Sequence, residues 1–144
     1  MQPKNPNFKN TILKKLEKQF FMQHVECQLT EIEHGKVSAE MPIQQFHLQQ
    51  NGFVHGGVTS FIADLVMGFA AYTMVSENEG TVTSDLKVAY LKPGIGQKLI
   101  ARGYVIKPGN LLYFCEADIV CINNGEETLI ARAYSTMCSI KINP

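Results

Sequence analysis

From Gly56 to Val75 every residue is apolar, small or uncharged except one, Asp64, near the middle of the run. A segment this long with no polar face reads as a helix buried on nearly all sides. Its length would also suit a membrane span, but Asp64, Thr59, Ser60, Thr73 and the glycines argue for a core helix. A lone carboxylate in such a segment costs several kcal/mol unless it is paired, neutralised or used. Burial also moves a carboxyl's pKa towards the range useful for proton transfer, so Asp64 is the first candidate for chemistry. The run opens with His55-Gly56-Gly57, a helix start. Its first N–H groups lack intrahelical partners and lie at the positive end of the dipole, where they can polarise a carbonyl oxygen.

The 144 residues suit one domain with a real core. A formal net charge of zero leaves no electrostatic case for nucleic acid or an anionic membrane surface. The opening MQPKNPNFKN lacks an apolar h-region, so the expected location is cytoplasmic. Cys27, Cys115, Cys121 and Cys138 have no metal-ligand spacing, so buried free thiols and no metal or organic cofactor are expected.

The surrounding pattern supplies a container for the helix. Apolar residues at Phe8, Ile12, Leu13, Leu16, Phe20 and Phe21 predict a surface helix over Phe8–Met22, with Lys9, Lys14, Lys15 and Lys18 towards water. Val25–Glu33 and Lys36–Met41 predict a hairpin turning at His34-Gly35, and Pro42 should end its second strand. After a turn over Glu77–Gly80, four strands are expected: Val82–Leu91, Lys98–Lys107, Leu111–Ile122 and Thr128–Ile142. Turn residues separate them, as at Lys92-Pro93-Gly94. Tyr90, Tyr104, Tyr113 and Tyr134 read as strand packing. The fold class is α+β, an antiparallel sheet wrapped around one long helix.

Asp64 lies eight residues beyond Gly56, about 12 Å along the axis at 1.5 Å per residue. One carbonyl cannot touch both groups of the same helix. If both act together they come from two chains with antiparallel helices, which predicts a homodimer with two equivalent sites. Gly57, Ser60, Asp64, Met67, Gly68 and Ala71 would share the face that meets a partner helix or a ligand.

The segment GFVHGGVTSFIAD resembles the signature of the hotdog-fold acyl-CoA thioesterases of the PaaI-like (phenylacetyl-CoA thioesterase) group. That pattern runs from an Asn or Gln through His-Gly-Gly to an Asp or Glu seven residues later, here Gln49, His55-Gly56-Gly57 and Asp64. The segment SDLKVAYLKPGIGQKL resembles the group's next strand, and the likeness extends from about Gly35 to Ile140. The resemblance implies a single hotdog thioesterase domain over residues 1–144, with 1–24 as an N-terminal helical extension. It implies that Asp64 is the catalytic carboxylate, as general base or nucleophile, and that the Gly56 N–H binds the thioester oxygen. His55 would shape the helix start, Gln49 would hold the carbonyl or the water, and Thr83 would stand beside the carboxylate, with Ser84 as its neighbour. Gly57, Phe61, Ser84 and Asn51 would contact the substrate. It further implies acyl-CoA as substrate, donors and carboxylate drawn from different subunits, and assembly as a dimer or a dimer of dimers (a homotetramer).

Where many of the group carry a basic residue after the late turn glycine, this chain has Asn110 after Gly109. Lys107, Lys92 and Arg132 are then the candidates for CoA phosphate. Two other activities belong to similar folds. Hotdog hydratases place a His about five residues after the Asp, where this chain has Phe69. Non-catalytic acyl-CoA sensors resemble this fold fused to a DNA-binding domain, which the short segment before Val25 cannot house.

Overall fold

Helix, hairpin, long helix and four strands follow one another in the expected order. The computed structural model describes residues 1–142; Asn143 and Pro144, the end of the expected domain, lie outside the described residues. The elements are α1 (Phe8–Leu16), α2 (Phe20–His24), β1 (Gln28–Glu33), β2 (Lys36–Pro42), a 3-10 turn at Gln45–His47, α3 (Gly56–Tyr72), β3 (Glu79–Tyr90), β4 (Lys98–Lys107), β5 (Leu112–Asn123) and β6 (Glu126–Lys141). The strands form one antiparallel sheet in the order β1-β2-β4-β5-β6-β3. β3 therefore occupies an edge, paired only with β6 among the described residues. This is the hotdog architecture.

Alternation on the central strands builds the inner face. Val37, Ala39 and Met41 of β2, Leu99 and Ala101 of β4, Ala117 and Ile119 of β5, and Ala131, Ala133 and Met137 of β6 are all buried. Against them α3 lays Ile62, Ala63, Val66, Met67 and Ala70, also buried. Each large side chain among these contributes about 1.5–3 kcal/mol through burial. Small residues on the sheet let the helix lie close. Gly103 of β4 is the tightest point, because a Cβ there would stand 2.7 Å from the Val66 carbonyl carbon. The hairpin turn uses Gly35 at φ 81°, and its N–H donates to Thr73 Oγ1 at 2.7 Å, tying β1–β2 to the end of α3.

The structure corrects four expectations. The single helix over Phe8–Met22 is two helices, broken between Leu16 and Phe20. The Gln23 side chain donates to the freed carbonyls of Leu16 and Glu17, and the new direction buries Met22 while setting Phe21 edge-on against Phe61. Within one chain α3 is not enclosed on nearly all sides: Gly57, Ser60, Phe61, Asp64 and Gly68 form an uncovered or half-covered stripe. Met67 and Ala71, assigned to that stripe from spacing, instead face the sheet and are fully buried. The β3 strand starts at Glu79, inside the expected turn, because Glu79 and Gly80 already pair with Lys141 and Ile140. Among the described residues no helix is long and apolar enough to cross a membrane.

Candidate active site

The uncovered stripe of α3 runs beside the free edge of the sheet, and two features of interest lie at different heights along it. The upper one is the helix start. His55 is the N-cap residue, extended at φ −59° and ψ 135°, and its ring Nδ1 accepts the Gly57 N–H at 2.9 Å. The His55 carbonyl accepts from the Val58 and Thr59 amides at 2.9 and 3.2 Å. The Gly56 N–H has no acceptor within the chain among the described residues. It is a helix N-terminal donor left over after capping, suited to an external oxygen.

The loop that delivers this helix start is pinned from below. His47 is buried; its Nδ1 accepts the Gln44 N–H at 2.9 Å and its Nε2 lies 2.7 Å from the Val25 carbonyl. Nδ1 is thus the acceptor and Nε2–H the donor, which fixes the neutral tautomer. The His47 carbonyl in turn accepts the His55 N–H at 2.8 Å. On the far side the Val54 N–H donates to the Gly94 carbonyl at 2.9 Å, so the turn after β3 clamps the residue just before the N-cap.

The lower feature is Asp64. It is half-buried rather than enclosed, and its Oδ1 accepts the Thr83 hydroxyl at 2.6 Å. The bond leaves Oδ2 free to take a proton or to attack. A strand bulge between Thr83 and Asp85 turns the chain here, and Ser84 falls at the bulge, outside the cavity lining. Asp64 and Thr83 line a cavity of about 670 Å³ whose walls include Phe61, Leu65, Phe69, Val82 and Met137. Burial pushes the phenol of Tyr72, another wall residue, above its ordinary pKa, so it stays protonated. Lys15, Lys18 and Phe21 reach the same cavity from the N-terminal helices. Sequence spacing placed those lysines on a plain solvated face; the break after Leu16 swings this part of the chain over the cavity.

Gly56 and Gln49 line a different groove of about 370 Å³, together with Phe53, Thr59, Tyr90 and Lys92. The Gln49 side-chain oxygen accepts the Asn51 N–H, which uses that oxygen inside the loop. Asn51 itself is exposed and absent from the groove lining. Of the basic candidates, Lys92 borders this groove, Lys107 is exposed beyond it, and Arg132 is occupied on the outer face by Asp118 at 2.9 Å. The helix therefore presents its donor and its carboxylate to separate spaces of one chain, as its rise requires.

Two residues escaped sequence reasoning. Tyr90, read as strand packing, is exposed, and its hydroxyl donates to the Gly56 carbonyl at 2.8 Å. Ser60, placed on the partner-facing stripe by spacing but given no role of its own, has its hydroxyl 2.6 Å from that of Tyr90. Strand alternation cannot reveal such a link, because nothing in it says which helix turn a strand end will meet. Among the described residues no group of three or more His, Cys, Asp or Glu side chains converges as a metal site. The cysteines are all free, with Cys27, Cys115 and Cys121 buried and Cys138 half-buried.

Comparison with known proteins agrees with this architecture. The sequence profile of the Thioesterase superfamily matches residues 51–128, which include the helix start, Asp64 and most of the sheet. The chain is 29% identical to human acyl-coenzyme A thioesterase 13 over 103 residues, 71% of each protein. It superposes on the crystal structure of a thioesterase family protein from Silicibacter pomeroyi with a TM-score of 0.92 at 27% identity, covering 94% of this chain and 99% of that one. The E. coli PaaI protein shares the fold at a TM-score of 0.82 and 17% identity, over 95% and 94% of the two chains.

Proposed function

The chain belongs to the thioesterase superfamily, and from that premise we propose that it hydrolyses acyl-CoA thioesters to the free acid and CoA at a site completed by a second copy of itself. One observation carries the reading: a single uncovered helix stripe bears both an unpartnered amide donor and a carboxylate held by a neighbouring hydroxyl, too far apart to serve one carbonyl. Two such stripes running antiparallel would bring Asp64 of one chain to Gly56 of the other.

The free edge of β3 supplies the means. Its residues Val82–Lys87 are all exposed, with Val82, Leu86 and Tyr90 offering apolar surface. Long uncovered edges pair with other strands, and β3 against β3 would continue the sheet into the partner and close the cavity at Asp64.

In this site the thioester oxygen accepts from the Gly56 N–H, and His55 holds the helix start in shape. Asp64, oriented by Thr83, delivers the attack, either by taking a proton from water or by adding to the carbonyl carbon. The tetrahedral intermediate collapses with CoA thiolate as leaving group. After activation of water this gives the free acid directly, and the proton on Asp64 passes to the thiolate. After direct attack it leaves an anhydride on Asp64 that a water must then hydrolyse to the acid and the restored carboxylate. The apolar walls around Phe61 take the acyl chain. Gln49 and Lys92 line the groove at the helix start, where Lys92 would meet a CoA phosphate, and the substrate would reach Gly57 and Asn51 just outside that lining.

Thiol release from short, medium, long and aryl acyl-CoAs, and from acyl-carrier-protein thioesters, tests the reading. Asp64→Asn should cut kcat by about 10²-fold or more, the scale of losing a positioned acid/base group. Single-turnover hydrolysis in ¹⁸O-water separates the routes, because an anhydride opened by water at the Asp64 carbonyl leaves ¹⁸O in the Asp64 side chain, whereas activated water puts ¹⁸O only in the product acid. Acyl-CoA binding without turnover would establish a binding protein instead, and an Asp64→Asn variant as fast as the parent would remove the carboxylate from the mechanism.

A further inference from the structure

Tyr90 closes β3 with its ring more than half exposed, yet its hydroxyl is engaged twice. It donates its one hydrogen to the Gly56 carbonyl at 2.8 Å, so the Ser60 hydroxyl, 2.6 Å away, must donate to Tyr90 Oη. The Gly56 carbonyl and the Gly57 N–H belong to one planar peptide unit. That unit is held on both edges: its carbonyl accepts from Tyr90 as well as from the helical Ser60 N–H, and its N–H donates to His55 Nδ1 at 2.9 Å. The preceding unit, which carries the Gly56 N–H, is held at its carbonyl by the Val58 and Thr59 amides. Its N–H alone is left without a partner among the described residues.

Two successive glycines form the most deformable backbone a helix start can have. Here the deformability is removed by side chains from elsewhere. Packing does not demand a glycine at 56, since a Cβ there would meet the Tyr90 ring at an ordinary 3.5 Å. The ring leaves the groove open over Gly56 while the hydroxyl fixes the peptide beside it.

We propose that Tyr90, steadied by Ser60, is a positioning residue for the reaction: by pinning the Gly56–Gly57 peptide it aims the Gly56 N–H at the place where the oxyanion forms. The inference rests on the reading of Gly56 as oxyanion donor. A preorganised donor stabilises developing charge without rearranging at the moment of reaction, so a hydroxyl that never touches the substrate can alter kcat. Ser60 orients the phenol and its side chain does not reach Gly56, so its share is smaller.

The test compares the parent with Tyr90→Phe and Ser60→Ala on an acyl-CoA that the parent hydrolyses, beside amide hydrogen exchange at Gly57. Tyr90→Phe keeps the ring and the groove wall, and should lower kcat by about 5- to 20-fold with KM within about twofold, the pattern of an interaction felt mainly in the transition state. Ser60→Ala should cost about two- to threefold in kcat. Exchange at the Gly57 amide, the one held by His55, should quicken in Tyr90→Phe and stay unchanged in Asp64→Asn, which disables the reaction without touching the peptide. A Tyr90→Phe variant with parental kcat overturns the proposal, as does one whose exchange at Gly57 is parental. If the parent releases no thiol from any acyl-CoA, the hydrolase reading falls, while the exchange data still decide whether Tyr90 holds the peptide.

Discussion

Replacing Gly56 by proline would remove one donor and very little else. Gly56 is the first residue of α3, and its N–H bonds to nothing within the chain among the described residues. Proline is favoured at that helix position, since its ring presets φ and the missing N–H has no partner to lose. The preceding residue must be extended, and His55 already is, at ψ 135°. A Cβ at this position has room, with Tyr90 the nearest side chain at 3.5 Å. Folding should therefore be unharmed, or favoured by about 0.4–1 kcal/mol through a stiffer unfolded chain. The reaction should suffer by about 10²- to 10³-fold in kcat, about 2.7–4 kcal/mol, the usual loss for one oxyanion donor.

Thiol release and thermal melting measure the two effects separately, and mixing adds the decisive step. Unfold Gly56→Pro and Asp64→Ala chains together and refold them. If each site takes its carboxylate from one chain and its donor from the other, a mixed dimer regains one intact site of two. Random pairing then returns roughly a quarter of parental activity from two nearly inactive proteins. Mixed refolding that recovers nothing, from variants that each refold and dimerise, would refute the shared site. A Gly56→Pro variant with full kcat would refute the donor assignment.

Thr83→Val keeps strand preference and volume but deletes the hydroxyl on Asp64; with Asp64 half-buried, kcat/KM should fall about 10-fold, the low end for a charge-assisted bond, and Thr83→Ser should restore most of it. Gly103→Ala must push α3 off β4, because its Cβ would stand 2.7 Å from the Val66 backbone; denaturant melts should show about 1–3 kcal/mol lost. Burial pushes the thiols of Cys27 and Cys115 from 9.0 up to about 12. Above pH 9 the unfolded chain ionises them while the folded chain cannot, so stability should fall as pH rises from 9 towards 12, and less steeply in Cys115→Ala. At pH 8 a thiol reagent should modify the half-buried Cys138 first and the other three only on unfolding.

Much of the fold is legible in the chain because it depends on short-range patterns. The apolar run over Gly56–Tyr72 is a helix, β4 spans Lys98–Lys107 as read, and the turns that follow β1, β3, β4 and β5 fall at their glycine or proline residues, whereas the turn read over Glu77–Gly80 ends where β3 has already begun. The break after Leu16 was not legible, since the apolar spacing continues through Phe20 and Phe21; only the contact of Phe21 with Phe61 and the burial of Met22 distinguish one helix from two.

Sequence alone determined that one carboxylate would stand in an apolar helix eight residues from a glycine helix start, because composition and helical rise are local properties of the chain. What surrounds those groups was settled by tertiary structure. Thr83 reaches Asp64 and Tyr90 reaches Gly56 only because β3 returns from α3 to the far edge of the sheet, crossing the helix at both places. A strand's period says which side chains face the helix side of the sheet, but not which turn of the helix they meet. That register comes from packing, and it is what joins a capped helix start and a lone acid to the residues that hold them in place.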